Sequence, residues 1–136
     1  MLHKVKIQTS HHSQMVDITR QVAEAVNQEN ITSGSVLVFC PHTTAAVTIN
    51  ENADPDVIHD ILTRLEEMYP WNHPLDRHGE GNSAAHLKAS TIGASELIPV
   101  TEGRLLLGTW QGIYFCEFDG PRSRTFYVKV CADNKG

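Results

Sequence analysis

Val36-Leu37-Val38-Phe39-Cys40-Pro41-His42-Thr43-Thr44-Ala45-Ala46-Val47-Thr48-Ile49-Asn50-Glu51-Asn52-Ala53-Asp54-Pro55 decides the fold. Ser35 to Cys40 is continuous in apolar character and β-branched, which reads as a central strand. Pro41 stops its hydrogen-bond ladder. Ala45 to Ile49 resumes as a second strand, antiparallel to a neighbour. Asp54-Pro55-Asp56 then starts a helix: Asp54 caps it, Pro55 suits the first helical position, and Asp56 favours the positive end of the dipole. Strand, polar corner, strand, polar corner and helix therefore follow within about 35 residues.

Outward from this stretch the pattern is mixed. Toward the N-terminus, Val5, Ile7 and Thr9 alternate with Lys4, Lys6 and Gln8, the period of a half-buried strand. His11 and His12 lie in a polar turn, and Met15, Val16 and Ile18 restart the apolar pattern. Thr19 is placed to cap a helix from Arg20 to about Asn30, closed by turn residues through Gly34. Toward the C-terminus, Val57, Ile58, Ile61, Leu62, Leu65 and Met68 form a helical stripe that Pro70 ends. Glu66 and Glu67 oppose the dipole at its end. Trp71 to Gly81 reads as a long loop, and such loops are disproportionately functional. Asn82-Ser83 is placed to cap a short helix from Ala84 to about Ser90, with Gly93 after it. Leu97–Val100, Arg104–Gly108, Gly112–Phe118 and Thr125–Val130 read as an antiparallel meander with turns at Glu102-Gly103 and Asp119-Gly120-Pro121-Arg122.

The 136 residues fit one domain, residues 1–136, around one core. A net charge of -5 disfavours nucleic acid as a partner, because that binding relies on neutralising phosphates. No apolar run approaches the roughly 20 residues that span a bilayer. Lys4, Lys6 and Gln8 interrupt any signal-peptide core, so a cytoplasmic location is expected. Cys40, Cys116 and Cys131 are far apart, lie in strand-like segments and read as buried free thiols.

Eight histidines draw attention to imidazole chemistry. His42, His78 and His86 come from a strand end, a loop and a helix start. Converging, they would hold zinc with an open fourth position. Read separately, they are ordinary hydrogen-bonded or surface histidines. Lys88, Arg122 and Arg124 suit an anion, with free backbone N–H groups at the helix start near Ser83. The alternative for both arginines is a solvated hairpin. His59 with Asp60 and Glu51 could form a relay, but a partly exposed helical histidine explains it more simply. Glu51 sits between two asparagines at a strand-to-helix corner, where no helical stripe accounts for it.

His42-Thr43-Thr44-Ala45-Ala46, Asn50-Glu51-Asn52-Ala53-Asp54-Pro55, Asn82 to Ser90 with His86, Gly108-Thr109-Trp110-Gln111-Gly112, and Gly120 with Arg124 together resemble the YjbQ-like family. Its members are often described as secondary thiamine-phosphate synthases. The resemblance covers nearly the whole chain. It implies an α+β fold dominated by an antiparallel β-sandwich, here with two or three helices. It also implies a homotrimer with pockets near subunit boundaries, and a site at His42, Asn50, Glu51, His86 and Gln111 that could take a divalent metal, zinc or magnesium. In the reaction so implied, a pyrimidine diphosphate is joined to a thiazole phosphate and diphosphate leaves. His42, Glu51 and His86 would be the catalytic residues, Glu51 orienting the aminopyrimidine. Lys88, Arg122 and Arg124 would meet the leaving group, Trp110 would wall the pyrimidine, and Thr43, Asn50, Ser90 and Gln111 would complete the substrate contacts.

Two other functions fit the same residues: a metal-dependent hydrolase of a small metabolite, and a non-catalytic trimer that binds a small molecule. A geometric constraint applies to all three. Eight residues from His42 to Asn50 span roughly 25 Å if extended. The two polar corners can serve one pocket only if the chain doubles back or if a second subunit supplies one of them.

Overall fold

The computed structural model describes residues 1–134. Its strands are β1 (Leu2–Gln8), β2 (Gln14–Asp17), β3 (Gly34–Phe39), β4 (Ala45–Glu51), β5 (Ser95–Thr101), β6 (Arg104–Leu105), β7 (Gln111–Glu117) and β8 (Ser123–Ala132). Its helices are α1 (Thr19–Glu29), α2 (Pro55–Met68) and α3 (Ser83–Ile92). The strands form two antiparallel sheets, one ordered β1-β8-β3-β5-β6 and the other β2-β7-β4. The fold is α+β.

The apolar pattern of each strand follows from its layer. Between the sheets, Val36, Val38, Ile98, Val100, Phe126, Val128 and Val130 meet Ala45, Val47, Ile113 and Phe115. Val22, Ala25 and Val26 of α1 pack into the same core, where the five-stranded sheet extends beyond the three-stranded one. The other face of the smaller sheet carries Ala46, Tyr114 and Cys116, which meet Leu65 of α2 and Ala85 and Ala89 of α3. β7 is thus covered on both sides, which is why Gly112–Cys116 is continuously apolar and Glu117 after it is also buried. β8 is covered on one side and alternates. Small residues at Ala46, Ala85 and Ala89 let α3 approach β4.

Several expectations shift in detail. The C-terminal strands are not a meander: β5 and β6 pair, but β7 leaves for the other sheet and β8 pairs with β1 and β3. Thr19 does not cap α1. Ile18 holds that position, while the Thr19 hydroxyl donates to Asp17 Oδ1 at 2.6 Å and accepts Ile113 N–H at 2.9 Å. Asn30 ends the helix in the left-handed conformation. Asp54 caps α2 as expected, accepting Asp56 N–H at 2.9 Å. Cys40 and Cys116 are buried, and burial pushes the Cys116 thiol up to about 12. Cys131 is exposed instead, on the uncovered face of β8. No helix among the described residues is long and apolar enough to cross a membrane.

Candidate functional site

β3 ends at Phe39, and Pro41 and His42 leave the sheet beside the first residues of β8. His42 Nε2 lies 3.0 Å from both Thr125 N and Thr125 O. One tautomer accepts the N–H and the other donates to the carbonyl. Either one spends Nε2 on the strand and leaves Nδ1 for a ligand. The ring also meets Phe115 edge to face, with centroids 6.4 Å apart. Burial, and then the nearby Arg124 guanidinium, hold its pKa below the usual imidazole range, so His42 is neutral near pH 7.

Arg124 is built into the interior. It is 4% exposed and Glu117 is fully buried. Glu117 Oε1 accepts Arg124 Nε–H at 2.9 Å and the Thr9 hydroxyl at 2.7 Å. Glu117 Oε2 accepts Asp119 N–H at 3.0 Å and pairs with Arg124 Nη2. The same Nη2 donates to Thr44 Oγ1 at 2.8 Å. Burial alone would raise the Glu117 carboxyl; the hydrogen bonds from Arg124, Thr9 and Asp119 outweigh it and hold the pKa below the ordinary range. Arg122 is half-exposed and tied to Asp119, through Nε to the carbonyl at 2.9 Å and Nη2 to Oδ2 at 3.0 Å. Among the described residues, the Nη1 groups of both arginines have no hydrogen-bond partner.

A cavity of about 430 Å³ is lined by Pro41, His42, Thr43, Thr44, His78, Glu80, Asn82, His86, Arg122 and Arg124. Four separate segments meet there: the His42 corner, the long loop, the start of α3 and the start of β8. His78 and His86 contact edge to face, with centroids 5.3 Å apart. The start of α3 has no side-chain cap. Asn82 is of capping type, but it turns its Nδ2 to Asp119 Oδ2 at 2.9 Å. Its own Oδ1 is the one buried side-chain polar atom without a partner among the described residues, at an ordinary cost of about 1–3 kcal/mol.

A metal centre was one of two readings of His42, His78 and His86, and all three line this cavity. They do not form a ligand set in this arrangement. His42 has only Nδ1 open, His78 and His86 stand as a pair, and among the described residues no three His, Cys, Asp or Glu side chains are grouped to hold an ion.

Other expected site residues lie elsewhere. Lys88 is 1% exposed and its Nζ binds Glu66 of α2, so it joins two helices rather than facing an anion. This explains Glu66 at the unfavourable end of α2. Ser90 is exposed and outside the cavity. His59 is exposed and 3.1 Å from Asp60, and among the described residues it makes no hydrogen bond or ion pair with Glu51. Asn50, Glu51, Trp110 and Gln111 form a second corner at the far end of the β4–β7 ribbon. There Tyr114 OH donates to the Glu51 carbonyl at 3.0 Å, and Asn52 packs over Gly112, where an added Cβ would meet its side chain at 2.8 Å. Trp110 is 62% exposed. β4 pairs with β7 without a break from Ala45 to Glu51, a span of about 20 Å, so the chain does not double back.

A wider groove of about 730 Å³ runs past His12, Leu62, Glu66 and Trp71. Glu66 is already engaged by Lys88 and by Trp71 N–H, which leaves the groove little directed chemistry. In sequence Asn82 stands out beside His78 and Glu80 and as a helix cap, and Glu117 beside Arg122 and Arg124, but Glu117 has no role assigned there. The signal for Glu117 was available: a lone carboxylate inside the continuous apolar run of β7.

One prediction concerns acidity. His42 has a folded pKa below its unfolded value, so its share of stability is complete above about pH 6.5 and is lost as pH falls through the folded value. Glu117 has the same sign in the more acidic carboxylate window. Urea midpoints should therefore be flat from about pH 7 to about pH 8, below the range where unfolded thiols ionise, and decline on acidification. In His42→Phe the decline should begin at lower pH; an unchanged profile counts against the assignment.

A two-sheet α+β sandwich with a histidine- and arginine-lined cavity at one end is the class that the fold and site define. The family profile described as UPF0047 protein YjbQ-like matches residues 3–133, and the chain belongs to that family. It is 61% identical to the UPF0047 protein YugU of Bacillus subtilis, over 96% of this chain and 98% of that protein. It is 49% identical to a UPF0047 protein of Methanocaldococcus jannaschii, over 98% and 96% of the two chains. A crystal structure from Clostridium acetobutylicum, described as an uncharacterized conserved protein of this family, superposes with a TM-score of 0.93 at 51% identity, covering 95% of this chain and 99% of that one. A Sulfolobus solfataricus structure described as of unknown function gives 0.93 at 35% identity, covering 98% and 97%.

Proposed function

We propose that the cavity binds the phosphoryl or diphosphate end of a small metabolite, in a transferase of the thiamine-phosphate-synthase type. The observation that carries this reading is the meeting of His42, His78, His86, Arg122 and Arg124 at the uncapped start of α3. In the reaction, the bond from the pyrimidine methylene to the diphosphate oxygen breaks, with its electron pair leaving on diphosphate. The thiazole nitrogen donates a pair to the same carbon. Charge therefore grows on the bridging oxygen in the transition state, where fixed donors are worth most. The free Nη1 groups and the two paired imidazoles supply such donors. Thr43 lies at the rim.

The organic part of the substrate needs a surface that this cavity lacks. The second corner offers one: an exposed Trp110 with Asn50, Glu51 and Gln111 beside it. A distance of about 20 Å along β4 keeps it from its own chain's cavity. In this reading a homotrimer brings the second corner of one copy to the cavity of the next.

A mixing experiment tests both parts. Glu51→Ala and His86→Ala should each abolish turnover of the two thiamine precursors. Coassembled in equal amounts, they should recover roughly a quarter of wild-type activity, because random pairing leaves that share of shared sites intact. No recovery would remove the shared site. A wild type that turns over neither precursor above the double variant would remove the transferase.

A further inference from the structure

We infer that the ligand of this cavity carries a positive group beside its phosphoryl group, and that Glu80 selects for it. The inference rests on the anion-binding reading above and narrows it to one ligand chemistry, a phosphorylated compound with a cationic nitrogen of its own. Three side chains on the lining carry a fixed charge: Glu80, Arg122 and Arg124. Both arginines already hold a carboxylate, Arg122 that of Asp119 and Arg124 that of Glu117. Their unused N–H groups still donate to an oxyanion, but their charge is balanced. Glu80 has no such partner: among the described residues its carboxylate enters no ion pair.

A turn in the long loop sets Glu80 beside His78. Gly81 N–H donates to the His78 carbonyl at 3.1 Å, and Gly81 takes φ +74°, a conformation that suits glycine. His78 and Glu80 both line the cavity. A bare oxyanion bound there is repelled by an uncompensated carboxylate. The imidazoles of His42, His78 and His86 also offer acceptors, but a neutral acceptor does not separate a cation from a neutral donor. A cationic nitrogen on the ligand offsets the repulsion and adds an attraction that only Glu80 supplies as charge. The cavity has room for it. At about 430 Å³ it is larger than a phosphoryl group, and apart from Pro41 every lining side chain carries polar atoms. The part of the ligand next to the phosphoryl group is therefore polar as well.

Phosphoethanolamine and propyl phosphate make the test direct, because they match in length and end in an ammonium or a methyl group. Near pH 8 both phosphoryl groups are dianions. Titration calorimetry at low ionic strength should show the wild-type protein binding phosphoethanolamine about fivefold more tightly, the upper range for an exposed ion pair. Added salt should shrink the difference. Glu80→Gln, which keeps an acceptor and removes the charge, should bring the two ligands within about twofold of each other. Glu80 is exposed, so the variant keeps the fold. Equal affinities in the wild type overturn the inference and leave the anion site standing; so does a preference that survives in Glu80→Gln. A third arm titrates inorganic diphosphate with and without magnesium. If magnesium tightens diphosphate only when Glu80 is present, and phosphoethanolamine gains nothing, the carboxylate serves a metal ion and the inference is overturned. If neither ester binds the wild type, the anion-site reading itself falls.

Discussion

Glu117→Gln is expected to lower the unfolding free energy by about 3–5 kcal/mol, the usual cost of stranding one partner of a buried ion pair. Arg124 cannot lose its proton, and at 4% exposure it has little access to water that could replace the carboxylate. The amide also turns two donors toward Arg124 Nη2 and Asp119 N–H, where a carboxylate oxygen now accepts. The urea midpoint of the variant should therefore fall well below that of the wild type with an unchanged slope. Phosphate binding should weaken with it, because Arg124 loses the fork that aims it. The paired substitution Glu117→Met with Arg124→Met separates the two effects. Stability should return to within about 1–2 kcal/mol of wild type, since apolar residues can replace a buried pair. Ligand binding should not return. A Glu117→Gln protein as stable as the wild type would mean that Arg124 is not buried as described.

Gly34→Ala should cost about 3 kcal/mol, at the upper end of overpacking penalties. In sequence Gly34 reads as the end of a turn. In the fold it is the first residue of β3, opposite Val100 on one side and Ala132 on the other. A Cβ there would lie 2.1 Å from the Cys131 carbonyl oxygen and 3.0 Å from Ala132 Cα. Both are backbone atoms of β8, and no side-chain rotation relieves them. The methyl must push β3 from β8 at the centre of the larger sheet. Gly79→Ala is the control, because an added Cβ there meets nothing within 4 Å; its effect should stay within about 0.5 kcal/mol. Equal midpoints for the two variants in urea denaturation would refute the close approach.

Much of the fold was legible because each layer leaves its own period in the chain. The alternation in β1, the continuous run in β7 and the stripe on α2 follow directly from how many faces each element buries. The meander was misread because local pattern does not say which sheet a strand joins. Gln111–Glu117 lies close in sequence to β6, yet it pairs with β2 and β4. The site was legible in its residue types and only partly in its membership. His42, His78, His86, Arg122 and Arg124 do share a cavity, whereas Lys88 and Ser90 do not. Helical spacing places Lys88 two positions from His86, on another face, and Glu66 then neutralises it there.

The sequence alone determined that the chain mixes strands and helices around two polar corners at His42 and at Asn50 to Asn52, and that these corners lie a strand's length apart. That much follows from backbone periodicity and the rise per residue, which are local quantities. Only the tertiary structure decided which charges are free. Arg124 and Lys88 look alike as cations in a sequence, but burial forces each to find a carboxylate, and the partners come from Glu117 and Glu66 in other elements. The same assembly left Asn82 Oδ1 without a donor, an outcome that depends on every neighbour at once and that no local pattern records.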